Sequence, residues 1–523
     1  MCHALVETFR WNVSSRRTFS RMSKFVIFFL LLNACTLSTD PTPPPSIKIA
    51  HAETTTMLPT ETATFTPTRT LTFTPTATRT ATRTPTTTPS PTPTQTLTPD
   101  PYALPAALGG TRSLARRNVL NLQAPPALHI SPALFGLNYW VPPFGEPVRR
   151  QLVPLNFVVL RRGGENIETD PWNWDELDRF ILDARALNVE PLIQVPYTKS
   201  DPAFAAKVVR YVNAQKKYDV RFWSIGNEED KNGRGGAREK WITEWRKFRD
   251  AMKAVDARIL IFGPELAQAY DFTDPTNDWL TPFLRANGNA VDVVALHRYP
   301  FNGKQTNPTV LVGDALGTAR RVRALRQHIQ RVTGRDIPLA FTEINLSDNW
   351  REFGEGSGAS FSAGLWMAET LGQMAEAGVV MVNLWNARSN DSLGLIARPA
   401  EVKRPTYFAT QLYTNYGDRI VPLASHVTNV SAHAARDSRT GKVSIVLINR
   451  GRGPVKFDLD LNSNQELQTG AIYFDLSTRK KINFEMPASS MVSLSLDANL
   501  NLTRTFLYSR AMFDANQPPQ VTP

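Results

Sequence analysis

Two stretches of the sequence decide how the chain folds. The first is Arg221-Phe-Trp-Ser-Ile-Gly-Asn-Glu-Glu-Asp230, and the second is Leu339-Ala-Phe-Thr-Glu-Ile-Asn345. Each is a short, largely apolar run that leads directly into a glutamate. Short apolar runs bounded by polar residues are typical of strands buried on both faces in a parallel sheet. Both stretches are therefore expected to be buried strands with a carboxylate at the carboxyl end.

Six similar runs flank these two, and amphipathic segments separate most of them. One such segment places Leu177, Phe180, Ile181 and Ala184 on one helical face. Strands that alternate with helices predict βα units, and eight of them predict a (β/α)8 barrel, a TIM barrel of the α/β class. A doubly wound open sheet is disfavoured because no glycine-rich phosphate loop follows the first strand. The predicted strands are 134–138, 157–161, 190–194, 221–226, 258–262, 291–296, 338–342 and 379–384.

The two glutamates at the strand ends suggest a reaction. Barrel enzymes carry their chemistry at the carboxyl ends of the strands, and Glu228 and Glu343 both lie there. Cleavage of a glycosidic bond requires such a pair, one carboxylic acid to protonate the leaving oxygen and one carboxylate to attack or stabilise the sugar. Glu229, Asp230 and Glu265 are rival carboxylates, and Glu265 is expected to be a wall residue or a substrate contact.

With these motifs the chain resembles the clan of retaining glycosidases that carry the acid/base on strand four and the nucleophile on strand seven (clan A). In that clan an Asn-Glu pair ends strand four, matched by Asn227-Glu228, and Glu343 matches the nucleophile. The chain is most similar to families 44 and 39 of the glycoside hydrolases. Glu229-Asp230 departs from the patterns of both families. The resemblance therefore supports membership of the clan more strongly than membership of either family.

The resemblance implies five substrate-site residues. Arg161, in Leu-Arg-Arg-Gly-Gly164, would lie near the nucleophile and lower its pKa, although the adjacent Arg162 could be the inward one. His297 and Tyr299 would contact the nucleophile and the sugar. Trp385 would form the floor of the subsite for the cleaved sugar, and Asn227 would bind its 2-hydroxyl.

The same resemblance implies a substrate and a mechanism. We expect hydrolysis of β-glycosidic bonds in a polysaccharide of the β-glucan or xylan type, by double displacement. An exo-acting β-glycosidase, a β-xylosidase or a transglycosylase is one alternative. A non-catalytic glycan-binding lipoprotein is another. No metal and no cofactor are expected, because two carboxylates suffice for hydrolysis.

The charge and the composition of the chain limit the kinds of binding partner that are expected. The formal net charge is +12, but no dense block of Lys and Arg with interleaved aromatic residues occurs. Charge of this kind concerns solubility and non-specific attraction, so nucleic acid is not an expected partner, and a monomer is expected.

The amino-terminal residues are expected to form a targeting signal rather than a folded domain. An apolar run, Phe25–Leu32, is too short to span a bilayer and fits a signal peptide. It leads into Leu-Asn-Ala-Cys35, which resembles a bacterial lipobox, so residues 1–35 are expected to direct lipidation of Cys35. An ordinary secretory signal is the alternative, and translation could begin at Met22, after the Arg16-Arg17 pair. Residues 36–104, rich in Thr and Pro, are expected to be a disordered linker, and the protein is expected outside the cell or on its surface.

The carboxyl-terminal part changes to a period of two. Residues 105–416 are assigned to the barrel domain, and short strands from 427 to 496 predict a β-sandwich over 417–500. The segment Pro105–Ile130 is expected to add a strand to it. Residues 501–523 are expected to be a tail whose last residues fray. A buttress for the barrel is the expected role of the sandwich, and carbohydrate binding is the alternative.

Overall fold

The structure, a computed structural model, describes residues 119–523 except 121, 141–142, 232–235, 268–276, 463–469, 477 and 479. The predicted signal peptide, Cys35 and the linker over 36–104 lie outside the described residues. Within the described ranges, no helix combines the length and the apolar character needed to cross a membrane.

Eight parallel strands, β1 to β8 in chain order, close into a barrel. Their bounds lie within a few residues of the predicted ones, which confirms the barrel. Every position of β3, β4, β6, β7 and β8 is buried, as the unbroken apolar runs require. The strands are Phe135–Asn138, Val159–Arg162, Glu190–Val195, Phe222–Ile225, Leu260–Leu266, Val293–Arg298, Leu339–Ile344 and Met381–Leu384.

The helices around the barrel begin where the sequence supplies caps. The side chain of Asn173 accepts hydrogen bonds from the backbone N–H groups of Asp175 and Glu176, and Asp201 caps the next long helix in the same way. The helices α1 to α10 are Glu146–Leu152, Glu165–Thr169, Trp174–Ala186, Pro202–Val209, Arg238–Val255, Leu280–Asn287, Pro308–Ala315, Thr318–Thr333, Phe361–Glu376 and Pro405–Gln411. A 3-10 turn, Val153–Leu155, follows α1, and a π-helical turn, Arg210–Gln215, extends α4.

Three short strands follow β8 above the barrel. They are β9 (Arg388–Ser389), β10 (Ile396–Ala397) and β11 (Val402–Lys403), in the order β11-β10-β9. They brace the loop that carries Trp385, which lies directly after β8.

Two further sheets form the carboxyl-terminal β-sandwich. One has the order β12-β14-β15-β19-β20-β21 and the other β13-β17-β16-β18. Ile445 and Val492 from the first sheet and Leu459 and Ile472 from the second share one apolar core. The strands are Arg419–Ile420, Leu423–Ser425, Val430–Arg436, Val443–Asn449, Val455–Asp460, Ala471–Phe474, Lys481–Met486, Ser490–Leu496, Leu502–Ser509 and Gln520–Thr522.

The prediction of a tail over 501–523 is wrong. Leu502–Ser509 pairs antiparallel with β19 along its length, and Gln520–Thr522 pairs with it in turn. A short helix, α11 (Arg510–Asp514), joins the two strands. The segment was misread because its polar residues face solvent, whereas Phe506 and Tyr508 are buried. A strand of an antiparallel sheet needs only one apolar face, because its other face can lie in solvent.

The strand expected from Pro105–Ile130 lies largely outside the described residues. In the described part, His129 forms one isolated antiparallel bridge with Arg419 of β12. This bridge is the contact that the segment makes with the sandwich sheet in the region that the structure describes.

Candidate active site

The carboxyl ends of β4 and β7 bring Glu228 and Glu343 together. One oxygen of each carboxylate lies within 4.8 Å of the other and of His297. Both glutamates line a cavity of about 640 Å³ at this end of the barrel. Both are largely buried, at 7% and 4% exposure.

The backbone around Glu228 turns sharply to present its side chain. Glu228 has φ +55°, in the left-handed region, and its N–H donates to the carbonyl of Glu265 at 2.8 Å. Glu265 itself has φ +58°. The ends of β4 and β5 are thus locked to each other where the chain leaves the barrel.

Arg161 lies beneath Glu343 and is the inward member of the arginine pair. Its Nη1 donates to Glu343 Oε1 at 2.7 Å, and its Nη2 donates to Asn227 Oδ1 at 3.1 Å and to Glu265 Oε2 at 3.2 Å. Arg162 points elsewhere, with its guanidinium over the Trp172 ring. Arg161 is fully buried and does not line the cavity. Arg161 therefore holds a carboxylate that faces the cavity, and its predicted part in substrate binding could act only through that carboxylate.

Tyr299 binds the other oxygen of Glu343. Its hydroxyl donates to Glu343 Oε2 at 2.7 Å, and the ring lines the cavity. Burial and the neighbouring carboxylates raise the pKa of Tyr299 well above its ordinary value, so the phenol keeps its proton. Glu343 thus receives a charged donor on one oxygen and a neutral donor on the other, so both oxygens of its carboxyl group are held in position.

His297 lies under the two glutamates rather than in the cavity. Its Nδ1 is 3.0 Å from Glu228 Oε1, and its Nε2 is 2.9 Å from Glu265 Oε2. The same Nδ1 is 3.6 Å from Glu343 Oε2. Since His297 is fully buried, its predicted contact with the sugar is wrong, whereas the contact with the predicted nucleophile is present.

The charge on His297 follows from its neighbours. Burial lowers its pKa, but Glu343 and the bonds to Glu228 and Glu265 outweigh burial and raise the pKa to about 10. The imidazole is therefore protonated at neutral pH. Glu228, His297 and Glu343 each offer one ligand atom, and these atoms are close enough together to bind a metal ion. A protonated imidazole whose two nitrogens both face carboxylates, however, has no lone pair for a metal ion.

Glu228 is held by two positive groups. Burial raises its pKa, but the hydrogen bond and charge of His297, together with Lys231, lower the pKa to about 2. Lys231 Nζ lies 3.3 Å from Glu228 Oε2 and lines the cavity. Lys231 follows Glu228 by three residues in a loop, and no motif or periodicity in the sequence pointed to it.

Glu265 is part of the site, but not as a wall of the cavity. It is completely buried and accepts hydrogen bonds from Arg161, from His297 and, at 2.6 Å, from the hydroxyl of Thr342. Burial raises its pKa, but Arg161, His297 and Thr342 outweigh burial and lower it. Its expected contact with substrate is therefore wrong: it anchors the two cations that hold the other carboxylates.

The other rival carboxylates hold the loop after β4. Glu229 Oε1 accepts from the N–H of Asn227, and Asp230 Oδ1 accepts from the N–H of Ala267. Neither lines the cavity. Glu228 is thus the carboxylate of this run that faces the cavity.

Asn227 and Trp385 lie where the resemblance implied. Both line the cavity, and the Trp385 ring is 4.8 Å from that of Trp140 between centroids. Gly164, at φ +113°, lets the Trp385 ring approach the backbone, because a Cβ there would lie 2.5 Å from it. Trp385 therefore forms part of the cavity floor.

Two polar residues of the network, Asn138 and Gln194, were not singled out from the sequence. Asn138 accepts from Arg161 Nη1 at 3.0 Å and donates to the carbonyl of Thr342 at 2.9 Å. Gln194 accepts from the N–H of Gly164 at 2.7 Å. Their signal was present: each of them, like Thr342, is a polar residue near the end of an otherwise apolar strand.

Comparison with known proteins supports the fold of this chain through solved structures alone. No family model matches the chain, and no curated protein is similar in sequence. Solved structures match at 15 to 16% identity. A family 51 α-L-arabinofuranosidase from Bifidobacterium longum matches over 72% of this chain and 98% of its own, at 15% identity, with a TM-score of 0.56.

Two further structures agree. An α-L-arabinofuranosidase from Thermotoga maritima, in complex with arabinose, matches over 73% of this chain and 94% of its own at 16% identity, with a TM-score of 0.54. A family 44 xyloglucanase from Paenibacillus polymyxa matches over 70% and 96% at 15% identity, with a TM-score of 0.51. The barrel with a β-rich carboxyl-terminal domain is thus the fold that this chain shares with them.

Proposed function

We propose that this protein is a retaining glycoside hydrolase of clan A that cleaves a neutral polysaccharide. The observation that carries the proposal is the pair Glu228 and Glu343, whose oxygens approach within 4.8 Å in a cavity at the strand ends. Retaining enzymes hold their carboxyl groups about 5–5.5 Å apart, whereas inverting enzymes leave roughly 6.5–9.5 Å for a water molecule. The glycosidase fold of the neighbouring structures supports the proposal.

Glu343 acts as the nucleophile. Its carboxylate attacks the anomeric carbon, the bond to the leaving oxygen breaks, and a glycosyl-enzyme ester forms. Arg161 and Tyr299 hold one oxygen each, so the attacking group is fixed in position before the substrate arrives.

Glu228 acts as the acid and then as the base. It gives a proton to the leaving oxygen in the first step, and it takes a proton from the water that hydrolyses the ester in the second. Glu228 and His297 titrate as a coupled pair that shares one proton. In the empty site that proton resides on His297. A sugar that separates Lys231 from Glu228 favours the protonated carboxyl group, because it removes a positive charge from its side.

The charges around the cavity support a neutral substrate. The carboxylates on its wall are Glu165, Glu228, Glu343, Asp348 and Asp391, whereas the described cations there are Lys231 and Arg351. A polyuronate would be repelled by this excess of negative charge. A β-glucan or xylan is neutral and presents apolar sugar faces to Trp385 and Trp140.

We also propose that the chain is exported and held at the cell surface by a lipid on Cys35. This rests on the apolar run over 25–32 and the Leu-Asn-Ala-Cys35 motif. Mass spectrometry of the amino-terminal peptide from cells tests it: a lipidated Cys35 is expected at the mature terminus. Release of the wild-type protein without lipid contradicts it.

Activity assays on β-glucans, xylans, mannans and aryl β-glycosides test the hydrolase. The Glu228→Gln and Glu343→Gln proteins are compared with Glu352→Gln, an exposed glutamate that does not line the cavity. We expect the two site variants to lose at least 10³-fold in kcat and the control to retain wild-type activity. Binding of a glycan without release of sugar would favour the non-catalytic alternative.

An exo-acting enzyme is the second candidate. Two of the neighbouring structures are α-L-arabinofuranosidases, so an aryl α-L-arabinofuranoside belongs in the panel. Preference for it over all polysaccharides would overturn the assignment of a β-linked chain as substrate.

A further inference from the structure

Two exposed aromatic rings lie on the wall of the cavity, in the loop between β7 and α9. Trp350 is 51% exposed and Phe353 is 56% exposed, and both line the cavity that holds the two glutamates. The other large hydrophobic side chains exposed within the described ranges are all aliphatic. Exposed apolar groups gathered at a cavity mark a binding surface, and aromatic rings are large and have defined faces.

The backbone that carries Trp350 is tied to the loop after β8. The N–H of Ser392 donates to the carbonyl of Trp350 at 3.1 Å, and the hydroxyl of Ser392 donates to the carbonyl of Asn349 at 3.1 Å. Ser392 is fully buried. The backbone at Trp350 is therefore in place before a ligand arrives, which reduces the entropy lost on binding.

Each ring has a guanidinium over it. Arg351 Cζ lies 4.3 Å from the centroid of the Trp350 ring, and Arg404 Cζ lies 5.8 Å from that of Phe353. Arg404 is itself buried and donates to the carbonyls of Gly394 and Asp391. A ring covered on one face by a cation is oriented by it and keeps its other face for a ligand.

The rings continue the surface that begins at Trp385. The side chain of Asn345 donates to the carbonyl of Trp385 and, at 3.0 Å, to that of Leu393, which also lines the cavity. The loop after β7 and the loop after β8 are thus tied together beside the glutamates. A chain seated on Trp385 extends along this joined wall.

We propose that Trp350 and Phe353 form an aromatic platform that binds further sugar rings of the substrate, beyond the one that Glu343 attacks. The proposal rests on the proposed glycosidase function and adds to it the residues that select a long chain over a disaccharide or a small glycoside. The C–H faces of the sugar rings stack on the two aromatic rings, while the cavity carboxylates and Asn390 bind hydroxyl groups.

The test compares chain lengths. The ratio of kcat/KM for a hexasaccharide to kcat/KM for an aryl glycoside of the same sugar is measured for wild type, Trp350→Ala, Phe353→Ala and the double variant. We expect the ratio to be high in wild type and to fall roughly tenfold or more in the double variant, since the apolar area buried against the rings is lost. Trp350→Tyr retains most of the ratio, because it keeps a ring. Leu316→Ala, an exposed residue outside the cavity, leaves it unchanged.

Two outcomes overturn the platform. One is a ratio that the double variant leaves at the wild-type value, and the other is an equal loss on both substrates, which indicates a distorted cavity. Affinity for the hexasaccharide, measured by calorimetry with the Glu343→Gln protein, separates this proposal from the hydrolase. If no glycoside is hydrolysed, the proposed function fails. The platform is then judged by binding alone, and it fails if its variants, made in the Glu343→Gln protein, bind the hexasaccharide as tightly as that protein does.

Discussion

At the scale of the residue, the site is a cluster of three carboxylates held by three cations. Glu343 is bound by Arg161, Glu228 by His297 and Lys231, and Glu265 by both Arg161 and His297. Burying one of these charges alone would be very unfavourable, whereas together they satisfy one another. The two glutamates that face the cavity differ in their partners, as the roles proposed for them require.

Lys231→Met is expected to shift the pH dependence of kcat/KM upward. The positive charge beside Glu228 lowers the pKa of that carboxyl group. Without this charge, the pair of Glu228 and His297 holds its shared proton more tightly, so the alkaline limb moves by about one pH unit to higher pH. Lys240→Met, on the exposed face of α5, serves as control. An alkaline limb that stays in place would show that Lys231 does not tune Glu228.

Glu265→Gln is expected to shift the same limb in the opposite direction. Glu265 raises the pKa of His297, so its neutral isostere lets the shared proton leave at lower pH. The substitution also leaves Arg161 with one partner fewer, and breaking a buried pair costs on the order of 3–5 kcal/mol. The pH profile separates a positioning role of Glu265 from a purely structural one. A loss of stability without a shift of the alkaline limb would contradict the positioning role.

The sequence identified the residues whose types carry the chemistry. Glu228, Glu343 and Arg161 were found because motifs and strand ends placed them, and the structure brings them together. Buried partners such as Glu265 and His297 could not be assigned correctly, since the sequence does not tell which polar side chain points under the floor and which points into the cavity. Lys231 lies in a loop, where no periodicity of the sequence predicts the direction in which a side chain points.

At the scale of the element, an ion cluster joins a barrel helix to the sandwich. His433 of β14 lies 2.7 Å from Glu376 and 3.6 Å from Glu369, at the carboxyl-terminal end of α9. Burial lowers the pKa of His433, but the two glutamates raise it to about 10. Gly372 makes room for the imidazole, because a Cβ there would lie 2.3 Å from its ring. The helix is therefore shaped to receive this histidine.

The cluster predicts how stability depends on pH. A raised pKa in the folded state means that the folded protein binds the proton more tightly than the unfolded chain. The stabilisation from His433 is complete below about pH 6.5 and is lost as pH rises toward 10. We expect His433→Gln to remove on the order of 1–3 kcal/mol at pH 6 and almost none at pH 10. Chemical denaturation at pH 6 and at pH 10 measures the free energy of unfolding of both proteins. Equal losses at the two pH values would contradict a stabilising charge on His433. His297 titrates over the same range in both proteins, so the difference isolates His433.

At the scale of the whole molecule, the carboxyl-terminal segment belongs to the fold. Tyr508 of β20 packs on Phe408 of α10 and on Phe361 of α9, at 4.7 and 5.5 Å between ring centroids. The last strands thus contact the barrel as well as the sandwich. Sequence patterns predicted the barrel strands to within a few residues, because each is an unbroken apolar run. They missed β18, which alternates but buries only Met486 fully, and β20, where Arg504 interrupts the alternation.

Truncation tests this assignment. Removal of 501–523 exposes the edge of β19 together with the apolar surfaces that Phe506 and Tyr508 cover, so we expect a loss of several kcal/mol in the free energy of unfolding or insoluble protein. Removal of 517–523 alone takes away only exposed residues of β21 and is expected to lower Tm by a few degrees at most. A stable protein that ends at residue 500 would contradict the role of β20.

The stereochemistry of hydrolysis tests the central claim most directly. Proton NMR follows the anomeric signal of the first sugar released from the best substrate, before mutarotation. We predict that the product initially has the same anomeric configuration as the substrate, since oxygens of Glu228 and Glu343 lie within 4.8 Å of each other, nearer to the carboxyl spacing of retaining enzymes than to that of inverting ones. An initial product of inverted configuration would contradict Glu343 as nucleophile and the double displacement that follows from it.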